Sequence, residues 1–212
     1  MSRTIFETPG VSHAARWLCV LYLRVTGWRK VGDVPDPPKY VVIIAPHTSN
    51  WDFPILVALA FALRVSACWM GKASLFRWPF GVFFRWLGGI PIDRSAAHNV
   101  VDQCVRRFDE SDKMVLGLTP EGTRKKVEFW KTGFYHIARG AHVPIALAFV
   151  DYERKVGGFG PVIVPTGDLA ADMAPIRTFF GGVVAKYPEK TGPAAVRPRD
   201  EELWQENHLR NP

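Results

Sequence analysis

A histidine and an aspartate stand at the two ends of a short turn, in a pattern that can do acid–base chemistry. His47 follows the apolar run YVVIIA and a proline, and Asp52 comes after four intervening residues, in the stretch APHTSNWDFP. A carboxylate that folds back onto one ring nitrogen fixes the tautomer of an imidazole and raises the basicity of the other nitrogen. Such a pair can take a proton from an alcohol. Two other interpretations remain open at this point: a structural hydrogen bond at a strand-to-helix turn, and a metal site.

The residues around this pair favour a hydroxyl of the substrate as the attacking group. No further histidine, cysteine or carboxylate stands at ligand spacing, so the sequence predicts neither a metal nor another bound cofactor. The G-x-S-x-G elbow that presents a catalytic serine is also absent from the sequence. A His–Asp pair without a protein nucleophile indicates that the base activates the substrate.

The loop TPEGTR contains residue types suited to an anion. Gly122 permits close backbone approach, Thr123 offers a hydroxyl, and Arg124 offers a forked cation that matches phosphate. Glu121 can hold that arginine or a substrate hydroxyl, and Lys131 adds positive field. The alternative is an ordinary basic loop in solvent.

A third stretch, GGIPIDR, lies between these two. Its glycine pair, Gly88 and Gly89, permits a tight turn or the close approach of a substrate, and Arg94 could be a second phosphate ligand. The alternative is a turn before a short strand.

The elements that must position these residues alternate between strands and helices, which predicts an α/β domain with a largely parallel sheet flanked by helices. The predicted strands are YVVIIA, VSACWM, KMVLGLT, VPIALAFV and GPVIVP. Pro54 is expected at the first position of a helix, and Pro175 is expected to limit the last one. In such sheets ligands bind beyond the carboxyl ends of the strands, which places the His–Asp turn and the TPEGTR loop on one face.

The first helical segment, residues 12–28, carries a stripe of apolar residues at helical spacing, with arginines beside it. The stripe consists of Trp17, Leu18, Leu21, Tyr22 and Val25. Two interpretations are equally compatible with it: a helix packed on the core, and a helix lying in a membrane interface. A second aromatic segment, SLFRWPFGVFFRWLGGIPIDRS, is compatible with core, with a membrane-facing patch or with the wall of an acyl pocket. Stacking on the bases of a nucleic acid is a further interpretation.

The composition sets further bounds. The chain has 212 residues, is 48% hydrophobic and carries a formal net charge of +7, which suggests an anionic partner such as a membrane surface, a phosphorylated molecule or nucleic acid. Its three cysteines are far apart and read as reduced thiols. No signal peptide is evident, and no uncharged run reaches the roughly 20 residues that a spanning helix needs.

Together and in this order, the motifs resemble those of the PlsC-like glycerolipid acyltransferases, also called lysophospholipid acyltransferases. The family's four motifs stand here as HTSNWD, GGIPIDR, PEGTR and VPIALAF, the last beginning at Pro144. The matched region runs from about Tyr40 to Val150. The resemblance implies transfer of a fatty acyl group from a coenzyme A or acyl-carrier-protein thioester to a hydroxyl of a lysophospholipid or related acceptor.

The resemblance also implies roles for particular residues. His47 becomes the general base and Asp52 its orienting partner. The remaining predicted site residues bind the acceptor's phosphate or, for the stretch 89–92, stabilise the oxyanion through backbone amides. The acceptor-binding set is Arg94, Glu121, Gly122, Thr123, Arg124 and Lys131, and the oxyanion set is Gly89, Ile90, Pro91 and Ile92.

The resulting hypothesis is a cytoplasmic enzyme attached peripherally to the inner face of the cell membrane. Residues 1–38 are expected to form an interfacial helix and linker, residues 39–185 the catalytic core, and residues 186–212 a polar tail. The expected partners are an acyl thioester, a lipid acceptor and a membrane surface, with acyl carrier protein as a further candidate and nucleic acid not among them. Two alternatives remain: a thioesterase that uses the same site with water as acceptor, and a basic module that binds nucleic acid or an anionic surface.

Overall fold

One mostly parallel sheet organises the computed structural model, which describes residues 4–92, 97–198 and 200. Within these residues the sheet has seven strands in the order β1-β7-β6-β2-β5-β3-β4, and every neighbouring pair is parallel except β6 and β7. The strands are β1 (Arg29–Val31), β2 (Lys39–Ile44), β3 (Ala67–Lys72), β4 (Gly89–Ile92), β5 (Met114–Leu118), β6 (Ile145–Asp151) and β7 (Val156–Ile163). The predicted α/β class and the largely parallel sheet are confirmed.

Helices flank this sheet on both faces. They are α1 (Val11–Thr26), α2 (Asp52–Leu63), α3 (Gly81–Trp86), α4 (Ala97–Asp109), α5 (Gly133–Gly140) and α6 (Leu169–Gly181). None of the helices in the described part of the chain is both long enough and apolar enough to cross a bilayer.

Strand β2 is buried on both faces, as its unbroken apolar run predicts. Val41 and Ile43 point into the main core, which is completed by residues of α4, α5 and α6. Tyr40 and Val42 point to the opposite face, where they pack with Leu63 at the end of α2. The alternation of side chains along the strand therefore divides one sequence run between two helical layers.

Three neighbouring strands bring the residues that follow them to one edge of the sheet. Strands β6, β2 and β5 are adjacent and mutually parallel, so their carboxyl ends meet at one edge of the sheet. His47 follows β2, Glu121 follows β5 and Tyr152 follows β6. The topology thus brings together side chains that are up to 105 positions apart in the chain, counted from His47 to Tyr152.

Two proline expectations need correction. Helix α2 begins at Asp52, so Pro54 is its third residue and not its first. This position is still in the first turn, where a backbone N–H has no partner within the helix. The expectation that Pro175 limits the last helix was wrong, because α6 runs through it to Gly181. The buried residues Met173 and Ile176 lie on either side of the proline, and their packing holds the helix together there.

The edges of the sheet also differ from the sequence prediction. Strand β7 begins at Val156, four residues before the predicted GPVIVP, because it pairs antiparallel with β6 across a short turn. Lys155 in that turn has a left-handed φ of 49°. Strand β1 was not predicted. It has only three residues, two of them charged, and so short a stretch shows no clear period.

The predicted outer segments take part in the fold. Residues 1–38 contribute β1 to the sheet as well as α1. After residue 185, the chain packs back on the core: the Trp130 N–H donates to the Ala195 carbonyl, and Val196 is buried. Residues 201–212 of the predicted tail lie outside the described part of the chain.

Candidate active site

The turn between β2 and α2 folds the Asp52 carboxylate back onto the histidine. Asp52 Oδ2 accepts hydrogen bonds from the backbone N–H groups of Thr48 and Ser49, at 3.0 and 2.9 Å. The same oxygen lies 3.0 Å from His47 Nδ1, although the angle of this contact is not that of a regular hydrogen bond. The predicted pairing of His47 with Asp52 is therefore present in the fold, with the turn residues between them as its scaffold.

The second carboxylate oxygen of Asp52 has a partner from another strand. The Tyr152 hydroxyl donates to Asp52 Oδ1 at 2.8 Å. Burial by itself would raise the pKa of Asp52, but the interactions with His47, the Ser49 N–H and Tyr152 outweigh it, so the pKa lies below its usual value. The carboxylate is thus kept ionised beside the imidazole, although its side chain is only 3% exposed.

Glu121 lies on the other side of the histidine. Its Oε2 accepts the His47 backbone N–H at 2.7 Å, and the residue is 5% exposed. Burial is the largest cause that raises the pKa of Glu121, and the nearby Asp52 charge raises it further, against the opposing hydrogen bond from His47. In the structure this carboxylate holds the turn that contains His47, whereas the sequence suggested that it contacts a ligand or Arg124.

The rest of the PEGTR loop surrounds the mouth of the site. Gly122 has a left-handed φ of 66°, and a Cβ on it would lie 3.0 Å from the Lys131 side chain, so glycine allows this lysine to cross the turn. The Lys131 N–H is anchored on the Pro120 carbonyl at 2.9 Å. Thr123 and Arg124 are exposed, and their side chains are therefore accessible from solvent.

The GGIPIDR stretch is placed elsewhere. Residues 89–92 form β4, at the edge of the sheet, three strand spacings or roughly 14 Å from β2. Gly89, Ile90 and Pro91 line a second cavity, at the amino ends of the strands. Ile92 is the last residue of β4, so it lies at the carboxyl end of that strand. Two strands, β5 and β3, therefore separate the predicted oxyanion amides from the strand that precedes His47. Arg94 lies outside the described residues.

An apolar cavity of about 1840 Å³ opens beside the histidine. Ordinary small-molecule pockets occupy about 300–1,000 Å³, so this space has room for a long apolar group as well as a polar head. Its polar end includes His47, Glu121, Gly122, Thr123 and Lys131. Its apolar walls come from β2, β3, β5 and α2, among them Val42, Leu56, Ala60, Leu63, Cys68 and Trp69.

Tyr152 is a residue of this site that the sequence motifs do not indicate. It follows β6 directly, and the rule that ligands bind at the carboxyl ends of parallel strands would have directed attention there. A tyrosine after an apolar strand is nevertheless common, and nothing in its immediate sequence links it to Asp52, a hundred residues earlier.

Comparisons with known proteins bear on the family and the fold of the chain. A family model described as "Acyltransferase" matches residues 29–149, which is more than half of the chain. The crystal structure of the 1-acyl-sn-glycerophosphate (LPA) acyltransferase PlsC from Thermotoga maritima is similar in fold, with a TM-score of 0.56 and 17% sequence identity, over 95% of this chain and 80% of that one. No curated protein sequence matches. The resemblance read from the four motifs is confirmed.

Proposed function

Because this chain belongs to the acyltransferase family, we propose that it moves a fatty acyl group from a thioester to the hydroxyl of a lysophospholipid or related glycerolipid. The proposed donor is a coenzyme A or acyl-carrier-protein thioester. The observation that carries the proposal is the histidine, fixed by two carboxylates, at the polar end of a large apolar cavity.

In the proposed reaction His47 acts as the general base. Nδ1 faces Asp52, so Nε2 is the nitrogen left to receive a proton from the acceptor hydroxyl. The acceptor oxygen then attacks the thioester carbonyl carbon, and a tetrahedral intermediate forms. Its collapse breaks the carbon–sulfur bond, and the proton held by His47 passes to the departing thiolate. Every proton and electron pair is accounted for without a covalent enzyme intermediate.

The cationic side of the mouth is proposed to bind the acceptor's phosphate. Lys131 and the exposed Arg124 carry the charge, and Gly122 and Thr123 leave the turn open to an anion. Arg94 remains a proposed second ligand. Glu121 is given a different part from the one expected: it acts on the acceptor indirectly, because it holds the backbone of His47.

The donor's acyl chain is proposed to lie in the apolar cavity, with access from a membrane surface. Several large apolar side chains of α1 and of the segment 75–83 are exposed, among them Trp17, Leu21, Trp78 and Phe80. Arginines stand beside them in the sequence, and such surfaces suit an interface between acyl chains and anionic headgroups. Peripheral attachment to the cytoplasmic face of a membrane is the corresponding proposal for location.

A His47→Ala variant tests the proposal. Purified protein is offered an acyl thioester together with a mixed panel of lysolipid acceptors, and the products are identified by mass spectrometry. Loss of a general base is expected to lower the rate by about 10²–10⁴. His142→Asn is the matched control. His142 lies between α5 and the amino end of β6, opposite to the end of that strand where the site lies, and its left-handed conformation is one that asparagine tolerates.

The same assay separates transfer from hydrolysis. Thiol release that requires an acceptor and yields an acylated lipid supports the transferase. Thiol release at the same rate without acceptor, giving free fatty acid, would replace it with the thioesterase. Undiminished transfer by His47→Ala would remove His47 from the mechanism.

A further inference from the structure

Tyr152 contacts the catalytic carboxylate from the side opposite to the histidine. Its hydroxyl donates to Asp52 Oδ1 at 2.8 Å, while Oδ2 of the same carboxylate lies 3.0 Å from His47 Nδ1. The backbone N–H groups of Thr48 and Ser49 also bind Oδ2. With donors on both oxygens, the carboxylate cannot rotate without losing a hydrogen bond.

Two separate segments, one at Trp28 and one at residues 184–187, hold the tyrosine in place. Its ring packs edge-on against Trp28, with centroids 5.1 Å apart and planes at 89°. Its backbone N–H donates to the Val184 carbonyl at 2.9 Å, and Lys186 Nζ lies 5.3 Å above the ring. The adjacent Tyr187 N–H donates to Thr48 Oγ1 at 3.2 Å, so the same segment also contacts the catalytic turn. These contacts fix the position of the Tyr152 ring and, through it, the position of the hydroxyl beside Asp52.

The ionisable groups around the Asp52–Tyr152 contact come from every element packed on it. They are His47 and Asp52 from the turn after β2, Glu121 from the loop after β5, Tyr22 from α1, and Lys186 and Tyr187 from the segment after α6. Burial and the Asp52 carboxylate raise the pKa of Tyr152 far above its ordinary value, so the phenol keeps its proton and remains a donor at every working pH.

We propose that Tyr152 is a positioning residue of the acyl transfer: its hydroxyl holds the Asp52 carboxylate in the orientation that keeps Oδ2 on His47 Nδ1. The inference rests on the proposed function of the His47–Asp52 pair. Tyr152 does not touch the acyl donor or the acceptor in this role. It acts through Asp52, and its contribution is realised when His47 becomes positively charged in the transition state.

The test is a Tyr152→Phe variant, which removes one oxygen atom and keeps the ring packing. We expect kcat to fall about tenfold or more, in line with the loss of a hydrogen bond to a charged group, while KM for donor and acceptor changes less than about threefold. The acid limb of the kcat profile should move to lower pH. A carboxylate that is free to turn away from Nδ1 stabilises the protonated imidazole less, so a lower pH is needed to protonate the base.

Replacing Tyr152 by 2,3-difluorotyrosine keeps the hydroxyl and makes it a stronger donor to Asp52. The carboxylate is then held at least as firmly, so kcat and the acid limb should stay close to those of the wild type. This second variant decides the question if Tyr152→Phe does not fold. An acid limb that stays in place in Tyr152→Phe, or a tenfold loss of kcat in the difluorotyrosine variant, would overturn the proposal.

Tyr135→Phe is the matched structural control. Its hydroxyl donates to the buried Asp172 at 2.6 Å, the same kind of bond in a part of the fold outside the site. This variant should lose stability while its pH profile stays that of the wild type. In an Asp52→Asn background, Tyr152→Phe should have almost no further effect on kcat, because the residue acts through Asp52. A full tenfold loss in that background would contradict the proposal.

His47→Ala separates this inference from the proposed function. If His47→Ala abolishes transfer and Tyr152→Phe leaves kcat and its pH profile unchanged, only the role of Tyr152 fails. If His47→Ala is fully active, the proposed function itself fails.

Discussion

At the scale of single residues, the two buried carboxylates beside His47 have pKa values that are shifted in opposite directions. Asp52 accepts four polar contacts, from two amides, a phenol and an imidazole, and its pKa falls although burial opposes the charge. Glu121 accepts one backbone N–H, and its pKa rises because burial dominates. The number of donors, rather than depth of burial, therefore separates a permanent anion from a carboxyl that resists ionisation.

This difference predicts how Glu121 affects stability. A carboxyl whose pKa is raised on folding holds its proton more tightly in the folded state, so its stabilising contribution is complete below the ordinary glutamate pKa of about 4.3 and is lost as the pH rises through the raised value. A Glu121→Gln variant does not titrate, so it does not lose stability as the pH rises, and its amide oxygen can still accept the His47 N–H. The variant should melt a few degrees above wild type at pH 7, with the gap closing towards pH 4. Thermal unfolding followed by circular dichroism measures both.

Asp52→Asn is the control with the opposite sign. A carboxyl whose pKa is lowered on folding stabilises the protein above the ordinary aspartate pKa of about 3.9, and this stabilisation disappears as the pH falls through the lowered value. Asp52→Asn should therefore melt below wild type at pH 7, and the two should converge at acid pH. Parallel melting curves for Glu121→Gln and wild type over the whole range would contradict the assignment for Glu121.

Secondary-structure elements were predictable where a residue period was strong. The buried strands β2, β5 and β6 were read from continuous apolar runs, and His47 and Glu121 were placed at their ends by the carboxyl-end rule. Strand β1 and helix α3 carry no comparable period and were missed. The contact of Tyr152 with Asp52 could not be predicted, because it depends on β6 lying next to β2, a pairing across about a hundred residues that no local pattern encodes.

Helix α1 has two apolar stripes: one faces α2 and the other faces solvent. Its inner stripe packs on α2, with Leu23 buried and Cys19 and Tyr22 partly buried. Trp17, which is 77% exposed, and Leu21 lie on the outer stripe. The two interpretations of this helix from sequence were alternatives, and the fold accommodates both, since packing uses only one side of the helix.

The outer stripe predicts a membrane phenotype without a folding phenotype. Trp17→Ser combined with Leu21→Ser removes two large apolar side chains from the proposed interface, and partition onto anionic vesicles should fall at least about tenfold. Melting temperature should stay near that of wild type, because neither side chain is part of the core. Co-sedimentation with phosphatidylglycerol-containing vesicles measures the binding.

Val164→Ser is the control for this experiment. Val164 is 72% exposed, but it directly follows β7 and is not part of α1. The Val164→Ser variant should bind vesicles as strongly as the wild type does. Equal binding by the double variant and wild type would place the membrane contact elsewhere on the protein.

At the scale of the whole molecule, the proposed catalytic residues and the proposed lipid cavity belong to different parts of one architecture. The sheet edge gathers His47, Glu121 and Tyr152 from three strands, and the space between the sheet and α2 supplies the apolar volume. The net charge of +7 is consistent with an anionic lipid surface as well as with nucleic acid, and the charge alone could not decide. The His–Asp turn and its adjoining cavity give the lipid interpretation a chemistry that a nucleic-acid module would leave unused.

The cavity under α2 predicts how acyl length is selected. Ala60 lines it from the helix and is only partly buried, so Ala60→Leu adds carbon atoms to the apolar end of the space without entering the main core. The rate kcat/KM should fall about tenfold or more for long-chain thioesters and little for short ones, because a long chain must displace the new side chain and a short one does not reach it. Steady-state kinetics with acyl-coenzyme A substrates of increasing chain length measures the ratio.

The matched control is Ala174→Leu, since Ala174 is an exposed alanine on α6. This variant should leave kcat/KM unchanged at every chain length. A uniform loss across all lengths for Ala60→Leu would instead indicate a general distortion of α2, and the acyl chain would then have to be assigned to another surface.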